Sequence, residues 1–445
     1  MKTILTLFFC LLVTLPALSQ QPVTAEDVKR EFLHSWNAYK QYAWGYDALK
    51  PLSKQPHDWH SVSLYMTPID AYDTMLLMGL KEDAAEAKKL ILDSLSFDKN
   101  IEVQAFEIII RVLGGLLSAY QLDGDPRFLA LAKDLGDRLM PIYDSPTGLP
   151  FRYVHLQTGA IRDSVNNPAE IGTALIEFGT LSKLTGNPVY YDNAKQALIQ
   201  VFNRRSRIGL VGTWVNVVTG EWTNKSSHVG GAIDSYYEYL LKAWKLFGDE
   251  DCKKMWDVSI AAVNTHLADT VRGELWYGRV EMNTGKRTST RFGSLEAFFP
   301  AVLAMGGDLE RAKQLQESCY KMWNLHGIEP EGIDYATMTA TSKVYVLRPE
   351  IIESAYYLYY YTGDEKYRRM GETFFRSLVQ YCRTDAGYAE LEDVTTKQKR
   401  DAMESFFFAE TLKYLYLLFA PRETLPFESV IFNTEAHPVR KTWKK

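Results

Sequence analysis

Apolar segments and amphipathic segments follow one another along this chain in a pattern that predicts helix, turn, helix units of about 60 residues each. Turns of Gly followed by Asp or Asn recur at separations of 62, 62, 59 and 56 residues. Each turn follows an apolar segment and precedes an amphipathic one, such as 126–139, 188–201 and 365–379. The turns are Gly124-Asp125, Gly186-Asn187, Gly248-Asp249, Gly307-Asp308 and Gly363-Asp364. This repetition indicates a series of helical hairpins.

Two weaker turns extend the series at its ends and bring the count to seven hairpins. Met78-Gly79-Leu80 precedes the segment 81–91, and Phe419-Ala420-Pro421 follows the segment 409–418. A further amphipathic helix is predicted at 25–42, ahead of the first hairpin. The fold class is therefore all-α. Stacked hairpins can form an open solenoid or close into a ring, and the pattern alone leaves both open.

The N-terminus has the features of a signal peptide. Met1-Lys2-Thr3 is followed by an apolar run at 4–15 and the small-residue end Ala17-Leu18-Ser19. We expect residues 1–20 to be removed, residues 21–445 to form a single domain, and the product to be exported to the periplasm or secreted. No later apolar run reaches about 18 residues, so no transmembrane segment is predicted.

The amino-acid composition indicates the class of protein and excludes some kinds of partner. The 445 residues are 46% hydrophobic and 24% charged with a net charge of −5, which suits a globular protein with a large core. The mild acidity of the chain, without blocks of basic residues, argues against nucleic acid as a partner. We also expect the protein to be a monomer. Beyond the signal peptide the cysteines are Cys252, Cys319 and Cys382, so at most one disulfide is possible and its existence is open.

Charged residues occur inside segments that are otherwise apolar. Glu107 and Arg111 stand four apart in such a segment, where a charge is costly unless it is paired or used. A structural ion pair and a functional pair are both open here. Glu350 and Glu353 fall in the first turn of a helix that Pro349 can open, where acids also stabilise the helix dipole.

The axial position of the acids is the most informative part of the pattern. Glu107, Glu170, Asp234 and Glu350 lie 17, 16, 14 and 13 residues before their Gly turns. At a rise of 1.5 Å per residue this places each about 20 to 25 Å from its turn, near the same helix end. If the first helices form an inner ring, these acids line one mouth of it. Four aromatic residues would join them there: Tyr236, Tyr237, Phe298 and Phe406. Carboxylates mixed with aromatic rings suit a sugar.

Five segments make a known family recognisable. They are Phe106-Glu107 with Arg111 through Tyr120, Asp234 through Lys242, Leu347-Arg348-Pro349-Glu350 with Glu353-Ser354, Ala409-Glu410 through Tyr416, and Phe432-Asn433-Thr434-Glu435-Ala436-His437-Pro438. In this order they closely resemble glycoside hydrolase family 47, the class I α-1,2-mannosidases, over residues 26–438. The resemblance implies an (α/α)7 barrel, in agreement with the seven hairpins.

The resemblance also implies a reaction and roles for residues. The reaction is hydrolysis of terminal α-1,2-linked mannose from high-mannose oligosaccharides, with inversion and with Ca²⁺. Glu107 matches the acid, acting directly or through a water, and Glu350 matches the base. Asp234 matches a third catalytic carboxylate, whose role is either acid or charge support. The substrate-binding residues implied are Arg111, Glu170, Glu238, Arg348, Glu353, Phe298, Phe406 and Glu410, with Phe406 stacking on the sugar.

A metal site is implied by the same resemblance. Thr434 matches a threonine that binds Ca²⁺ through its hydroxyl and carbonyl oxygens, with waters and two mannose hydroxyls as the other ligands. Four glutamates would hold the metal-bound waters: Glu350, Glu353, Glu410 and Glu435. For His437, packing and support of this water shell are equally open.

Departures from the family pattern leave alternatives. Ser294 through Phe298 replaces a common His-Leu-Val-Cys-Phe, so Ala297 lacks the cysteine of a family disulfide. This resembles the EDEM-like and bacterial branch. Ala232 stands where some members carry an arginine that restricts branch choice. One alternative is an EDEM-like mannose-binding protein with weak or no hydrolase activity. Another is a different sugar-active toroid, such as an epimerase or a retaining enzyme, although such epimerases use histidines and none of the eight here falls at a predicted inner-helix start.

Overall fold

The computed structural model describes residues 21–442, so the predicted signal peptide at 1–20 lies outside the described residues. Within them, helices pair as predicted, an apolar one followed by an amphipathic one. In chain order the helices are α1 Ala25–Tyr42, α2 Met66–Met78, α3 Lys81–Ser94, α4 Ala105–Asp123, α5 Pro126–Leu139, α6 Pro168–Gly172, α7 Leu175–Thr185, α8 Pro188–Asn203, α9 Asp234–Phe247, α10 Glu250–His266, α11 Phe299–Gly306, α12 Leu309–Asn324, α13 Glu350–Thr362, α14 Lys366–Tyr381 and α15 Leu412–Phe419.

The apolar helices form a closed inner ring. Each of α2, α4, α7, α9, α11, α13 and α15 packs on the next, and α2 also packs on the turn Phe407–Thr411 that leads into α15. The amphipathic helices lie outside, each against its own inner partner. The predicted all-α (α/α)7 barrel is therefore confirmed. Of the two arrangements left open by the sequence pattern, the structure has the closed ring and not the open solenoid.

The seventh hairpin differs from its prediction. The turn at Ala420 leads to no outer helix, because two short 3₁₀ turns and a hairpin follow it. The outer partner of α15 is instead α1 from the start of the chain. A closed ring needs its last inner helix covered, and the N-terminal amphipathic helix supplies that cover. The seventh helix pair is thus built from both ends of the described chain.

Short antiparallel sheets occupy the connections from each outer helix to the next inner helix, and the apolar pattern did not predict them. They contain two or three strands each. The strands are β1 Ala48–Lys50, β2 Gln55–His57, β3 Glu102–Gln104, β4 Tyr153–His155, β5 Ile161–Arg162, β6 Val165–Asn166, β7 Trp214–Asn216, β8 Trp222–Asn224, β9 Ser226–Ser227, β10 Ala268–Val271, β11 Glu274–Tyr277, β12 Arg279–Glu281, β13 Arg287–Ser289, β14 Arg291–Gly293, β15 Gly332–Asp334, β16 Thr339–Ser342, β17 Arg383–Thr384, β18 Gly387–Tyr388, β19 Glu390–Asp393, β20 Gln398–Arg400, β21 Val430–Phe432 and β22 Pro438–Arg440.

The last hairpin, β21–β22, enters the ring and fills its centre. β22 packs on α4 and β21 on α9, and the tip between them runs from Asn433 to His437. Gly114 and Gly115 of α4 allow this approach. A Cβ at Gly114 would lie 2.5 Å from the Asn433 Nδ2 atom, and one at Gly115 would lie 3.2 Å from the His437 ring. The barrel is therefore plugged from within, and the tip is presented to the predicted mouth.

Helix α4 is long and apolar enough to cross a membrane by length and composition, and within residues 21–442 it is the only such helix. Its most apolar 18-residue window is 72% buried inside the barrel, as expected for a core helix. The three cysteines of the described residues are all buried and unpaired, so no disulfide joins them.

Candidate active site

One cavity of about 490 Å³ opens at the ring mouth where the inner helices begin. Every residue predicted above for catalysis, substrate binding or metal binding lines it. From the helices these are Glu107, Arg111, Glu170, Asp234, Glu238, Phe298, Glu350, Glu353, Phe406 and Glu410, joined by Arg348 before α13 and by Thr434 and Glu435 from the hairpin tip. Convergence of the acids on one rim is therefore what the structure shows, while the individual roles stay predictions.

Arg111 links the wall of the cavity to the hairpin tip. Its Nε donates to the Glu107 carboxylate at 3.0 Å, and its Nη1 pairs with Glu435. The guanidinium lies over the rings of Trp59 and Phe406, with centroid distances of 5.3 and 5.6 Å. The ion pair between Glu107 and Arg111 therefore forms, and because both residues line the cavity, a functional role for the pair stays a prediction.

Asp234 and Glu350 stand at the first positions of α9 and α13, facing the cavity from different sides. Burial raises the pKa of Asp234 to about 7, and Glu238 and Glu296 add to the rise. Burial likewise raises the pKa of Glu350 to about 7, although Arg348, 3.8 Å away, opposes the shift. Acids with pKa values near neutrality are suited to proton transfer.

Carboxylates outnumber cations around the hairpin tip. Burial raises the pKa of Glu353 and of Glu435 to about 8, and it raises that of Glu410 well above its usual value, with neighbouring acids adding to the rise for each. Four cations lie close to this group or to the tip, and each is paired with an acid: Arg111 with Glu435, Lys242 with Glu238, Arg348 with Glu331 and Lys413 with Asp73. A bound cation would lower these pKa values and stabilise the ionised carboxylates, so this part of the cavity suits a cation.

Thr434 fits the predicted calcium site. Its N–H donates to the Tyr239 hydroxyl at 3.2 Å, which holds the backbone at the tip. Among residues 21–442, neither its hydroxyl nor its carbonyl oxygen makes a hydrogen bond, so both oxygens are available as ligands. The described part of the chain contains no cluster of three His, Cys, Asp or Glu that would hold a metal directly. The residues therefore fit a hard ion held by Thr434, with waters between it and the glutamates.

Two buried networks hold the tip in place. His437 lies between Asp73 (2.7 Å) and Asp70 (3.3 Å), and Lys413 pairs with Asp73 at 2.6 Å. Burial alone would lower the pKa of His437, but these carboxylates raise it to about 9. His437 is fully buried and does not line the cavity, so its role is packing and hydrogen bonding that supports the tip.

The second network contains an acid that the sequence did not single out. Glu177 is fully buried and accepts from the Tyr239 hydroxyl at 2.6 Å and from Asn433 at 2.8 Å. Burial raises the pKa of Glu177 to about 7. Since Tyr239 also accepts from the Thr434 N–H, this network reaches the candidate calcium ligand.

We expect thermal stability without added metal to be higher at pH 5 than at pH 8.5. Glu177, Asp234 and Glu350 have folded-state pKa values of about 7, above those of unfolded carboxyls, so their contribution is present at low pH and lost through pH 7. His437, raised to about 9, acts in the same direction above pH 6.5. Asp73, lowered to about 2, matters only below pH 4. We expect the Tm from calorimetry to fall by about 5 °C between pH 5 and pH 8.5. A rise in Tm over this pH range would contradict the raised pKa values of these buried groups.

Two aromatic residues were placed wrongly by the sequence analysis. Tyr236 and Tyr237 are 0% and 1% exposed and do not line the cavity. Tyr236 follows Asp234 by two positions and so lies on the opposite face of α9, where its ring packs against that of Tyr237 in the wall of the barrel, with centroids 5.3 Å apart. Of the four predicted aromatics, only Phe298 and Phe406 reach the cavity.

Other cavity residues were missed because they lie on the unpredicted hairpins. Gln104, Arg152 and Trp214 all line the cavity, and they belong to or adjoin β3, β4 and β7. A signal was available in the length of the connections, such as 140–167, which is too long for a simple turn. Glu329 was also missed. It is fully buried just before β15, and both of its carboxylate oxygens lack a hydrogen-bond partner within residues 21–442.

Comparisons with known proteins agree with this geometry. The model of "Glycosyl hydrolase family 47" matches residues 31–441. The chain is 35% identical to "Alpha-mannosidase I MNS5" of Arabidopsis thaliana, over 98% of this chain and 82% of that protein. It is 37% identical to "ER degradation-enhancing alpha-mannosidase-like protein 2" of Mus musculus, over 93% and 77%. The solved structure of the α-1,2-mannosidase from Trichoderma reesei superposes with a TM-score of 0.87 at 30% identity, over 94% of this chain and 98% of that one.

Proposed function

The chain belongs to glycosyl hydrolase family 47, and we propose that it is a Ca²⁺-dependent inverting exo-α-1,2-mannosidase that removes terminal α-1,2-linked mannose from high-mannose-type oligosaccharides. The observation that carries this proposal is the meeting of Glu107, Asp234 and Glu350 in one cavity, beside Phe406 and below an open mouth. Three inner helices supply the three acids, and the cavity is closed at its base by the hairpin. Such a pocket accepts the end of a chain, which suits exo action.

Inversion needs one acid and one base on opposite faces of the sugar. We assign the base to Glu350, which would take a proton from the attacking water. Glu107 and Asp234 are the two candidates for the proton donor to the leaving oxygen, and a pKa raised by burial to about 7 makes Asp234 suited to that role. Glu107 is held by Arg111 at 3.0 Å and orients the same oxygen, directly or through a water. Phe406 offers a ring face to the sugar.

Bound Ca²⁺ would supply positive charge beside the sugar hydroxyls. Thr434 would hold it through two free oxygens, with Glu350, Glu353, Glu410 and Glu435 around its waters. Support comes from the excess of carboxylates at the tip and from the Glu350 Oε2 atom, which is buried without a hydrogen-bond partner within residues 21–442. A water held near an ion at Thr434 would give this oxygen a partner.

The stereochemistry of the product tests the proposal. With α-1,2-mannobiose as substrate, we expect proton NMR to show β-mannose as the first product, followed by slow mutarotation to the α anomer. Inversion produces this order because water attacks the face opposite the leaving sugar. First appearance of α-mannose would refute the inverting assignment.

A second candidate is a mannose-binding protein with weak or no hydrolase activity. The 37% identity to an ER degradation-enhancing mannosidase-like protein, next to the 35% identity to a mannosidase I, is the observation that favours this candidate. The presence of all three acids in the cavity argues for hydrolysis instead. Mannobiose binding without any mannose release would favour this second candidate.

Two further properties are proposed from the sequence. The apolar segment 4–15 followed by small residues supports export to the periplasm or the exterior. The protein is proposed to act as a monomer, since the cavity is complete within one chain.

A further inference from the structure

The cavity has a second wall that no residue role above explains. It is made by Arg152 and Trp214, with Gln104 and Asn167 beside them, and we call these four residues the hairpin wall. Three of them lie in or next to the strands β3, β4 and β7, and Asn167 caps α6. The wall therefore stands above the ring, where the connections rise beside the mouth.

Arg152 is held rigidly in this wall. Its Nε and Nη2 donate to both carboxylate oxygens of Glu170 at 2.8 to 3.1 Å. The guanidinium also lies over the rings of Tyr153 and Trp214, at 5.6 and 5.5 Å from their centroids. Its Nη1 makes no hydrogen bond within residues 21–442 and is not buried, so it is a fixed donor available to a ligand. A bidentate, stacked arginine loses little entropy when it binds a further group.

Trp214 complements this donor. Its side chain is only partly buried and lines the cavity beside Arg152. An indole face packs well against the C–H face of a sugar, while Arg152 Nη1 can donate to a hydroxyl and Glu170 can accept from one. The wall thus offers the three kinds of contact that a neutral pyranose uses.

The position of the wall indicates which sugar it contacts. Arg152 and Trp214 lie on the connections between the second and fourth inner helices, and those two helices carry Glu107 and Asp234. Glu350, Phe406 and Thr434 come from the sixth helix, the seventh and the hairpin, on the other side. The groups proposed to protonate the leaving oxygen thus lie on the wall side of the cavity, so the sugar beyond that oxygen meets the wall.

We propose that Trp214 and Arg152 form the subsite for the sugar from which the terminal mannose is cleaved. This inference rests on the proposed function and adds residues that select the linked sugar rather than the terminal one. The competing explanation is that Arg152–Glu170 is only an ion pair that ties β4 to α6. The two explanations differ in what the wall does for a disaccharide compared with a monosaccharide.

The experiment measures binding in an inactive background. Isothermal titration of α-1,2-mannobiose and of free mannose is carried out with Glu350→Gln, with and without Trp214→Ala. We expect Trp214→Ala to weaken mannobiose binding by about tenfold, since a stacked ring is lost, and to leave mannose binding within about twofold. Trp222→Ala is the matched control, because Trp222 lies on the neighbouring strand β8, is also partly buried, and does not line the cavity.

Arg152→Met provides a second variant that keeps the aliphatic stem. It should also weaken mannobiose more than mannose, and circular dichroism with a Tm measurement checks that each variant is folded. Unchanged mannobiose affinity in both variants, or equal losses for both sugars, would overturn the subsite. A parent that neither binds nor cleaves mannobiose would instead overturn the proposed function, so the two failures are distinguishable.

Discussion

Glu350→Gln is expected to lower kcat on α-1,2-mannobiose by about 1000-fold, the size of a lost general base. The amide has the shape of the carboxylate but cannot accept a proton from water. Glu350 stands at the start of α13 and faces the cavity, so substrate binding should persist and KM should change little. Steady-state kinetics with mannose release as the readout measures both constants.

Glu329→Gln is the matched control for this variant. Glu329 is fully buried next to the same region, and burial together with Glu350 raises its pKa well above the usual value. Burial thus favours the neutral form of this carboxyl, and glutamine replaces it with a neutral amide of the same shape. We expect activity within a few-fold of the parent protein. Equal losses in both variants would show that Glu350 acts through stability rather than as the base.

Much of the fold could be predicted because its repeat is local. Predicted helices at 25–42 and 126–139 match α1 and α5 to the residue, since caps and turns at their ends are read from neighbouring residues. Closure of the ring and the pairing of α1 with α15 depend on contacts between the two ends of the chain. The hydrophobic pattern within one sixty-residue unit does not report contacts between units that are far apart in the sequence. The family resemblance supplied the closure, and the structure supplied the partner.

In the candidate site, too, local features were predictable from the sequence and the others were not. Distance from the Gly turn predicted that Glu107, Glu170, Asp234 and Glu350 meet at one rim, because the rise per residue in a helix is nearly constant, although a break at 173–174 separates Glu170 from its helix α7. Direction around the helix was harder to predict, as the burial of Tyr236 shows. In two other inner helices beside the cavity, the backbone widens to π geometry over Ile108–Leu113 and Phe407–Thr411, which shifts the direction of the side chains there.

Three residues close to the cavity acids have a strained backbone conformation. Ala232, Leu347 and Ala436 have positive φ values of 76°, 62° and 57°. Each lies within three residues of a cavity acid, and the left-handed region is unfavourable for residues other than Gly. Neither alanine nor leucine signals such a conformation from sequence. The closed ring and the hairpin together hold the chain there, which aims the acids at a common point.

Removal of calcium is expected to abolish activity, with a loss of at least about 100-fold after EDTA treatment and recovery when Ca²⁺ is restored. Within residues 21–442 the hydroxyl and carbonyl oxygens of Thr434 make no hydrogen bonds, and a cation there would stabilise the ionised form of the surrounding buried acids. Thr434→Ala removes one of these oxygens and should weaken Ca²⁺ binding by about 10-fold or more, measured by isothermal titration without substrate.

The matched control is Thr424→Ala, a threonine in a 3₁₀ turn that does not line the cavity. It should bind Ca²⁺ as the parent protein does. Full activity in EDTA would refute the metal requirement and leave the acids as the whole of the machinery. Ca²⁺ affinity unchanged by Thr434→Ala, with activity still sensitive to EDTA, would move the ion elsewhere in the cavity. Loss of both together would tie the ion to the hairpin tip, where the Thr434 N–H donates to Tyr239 of the buried network.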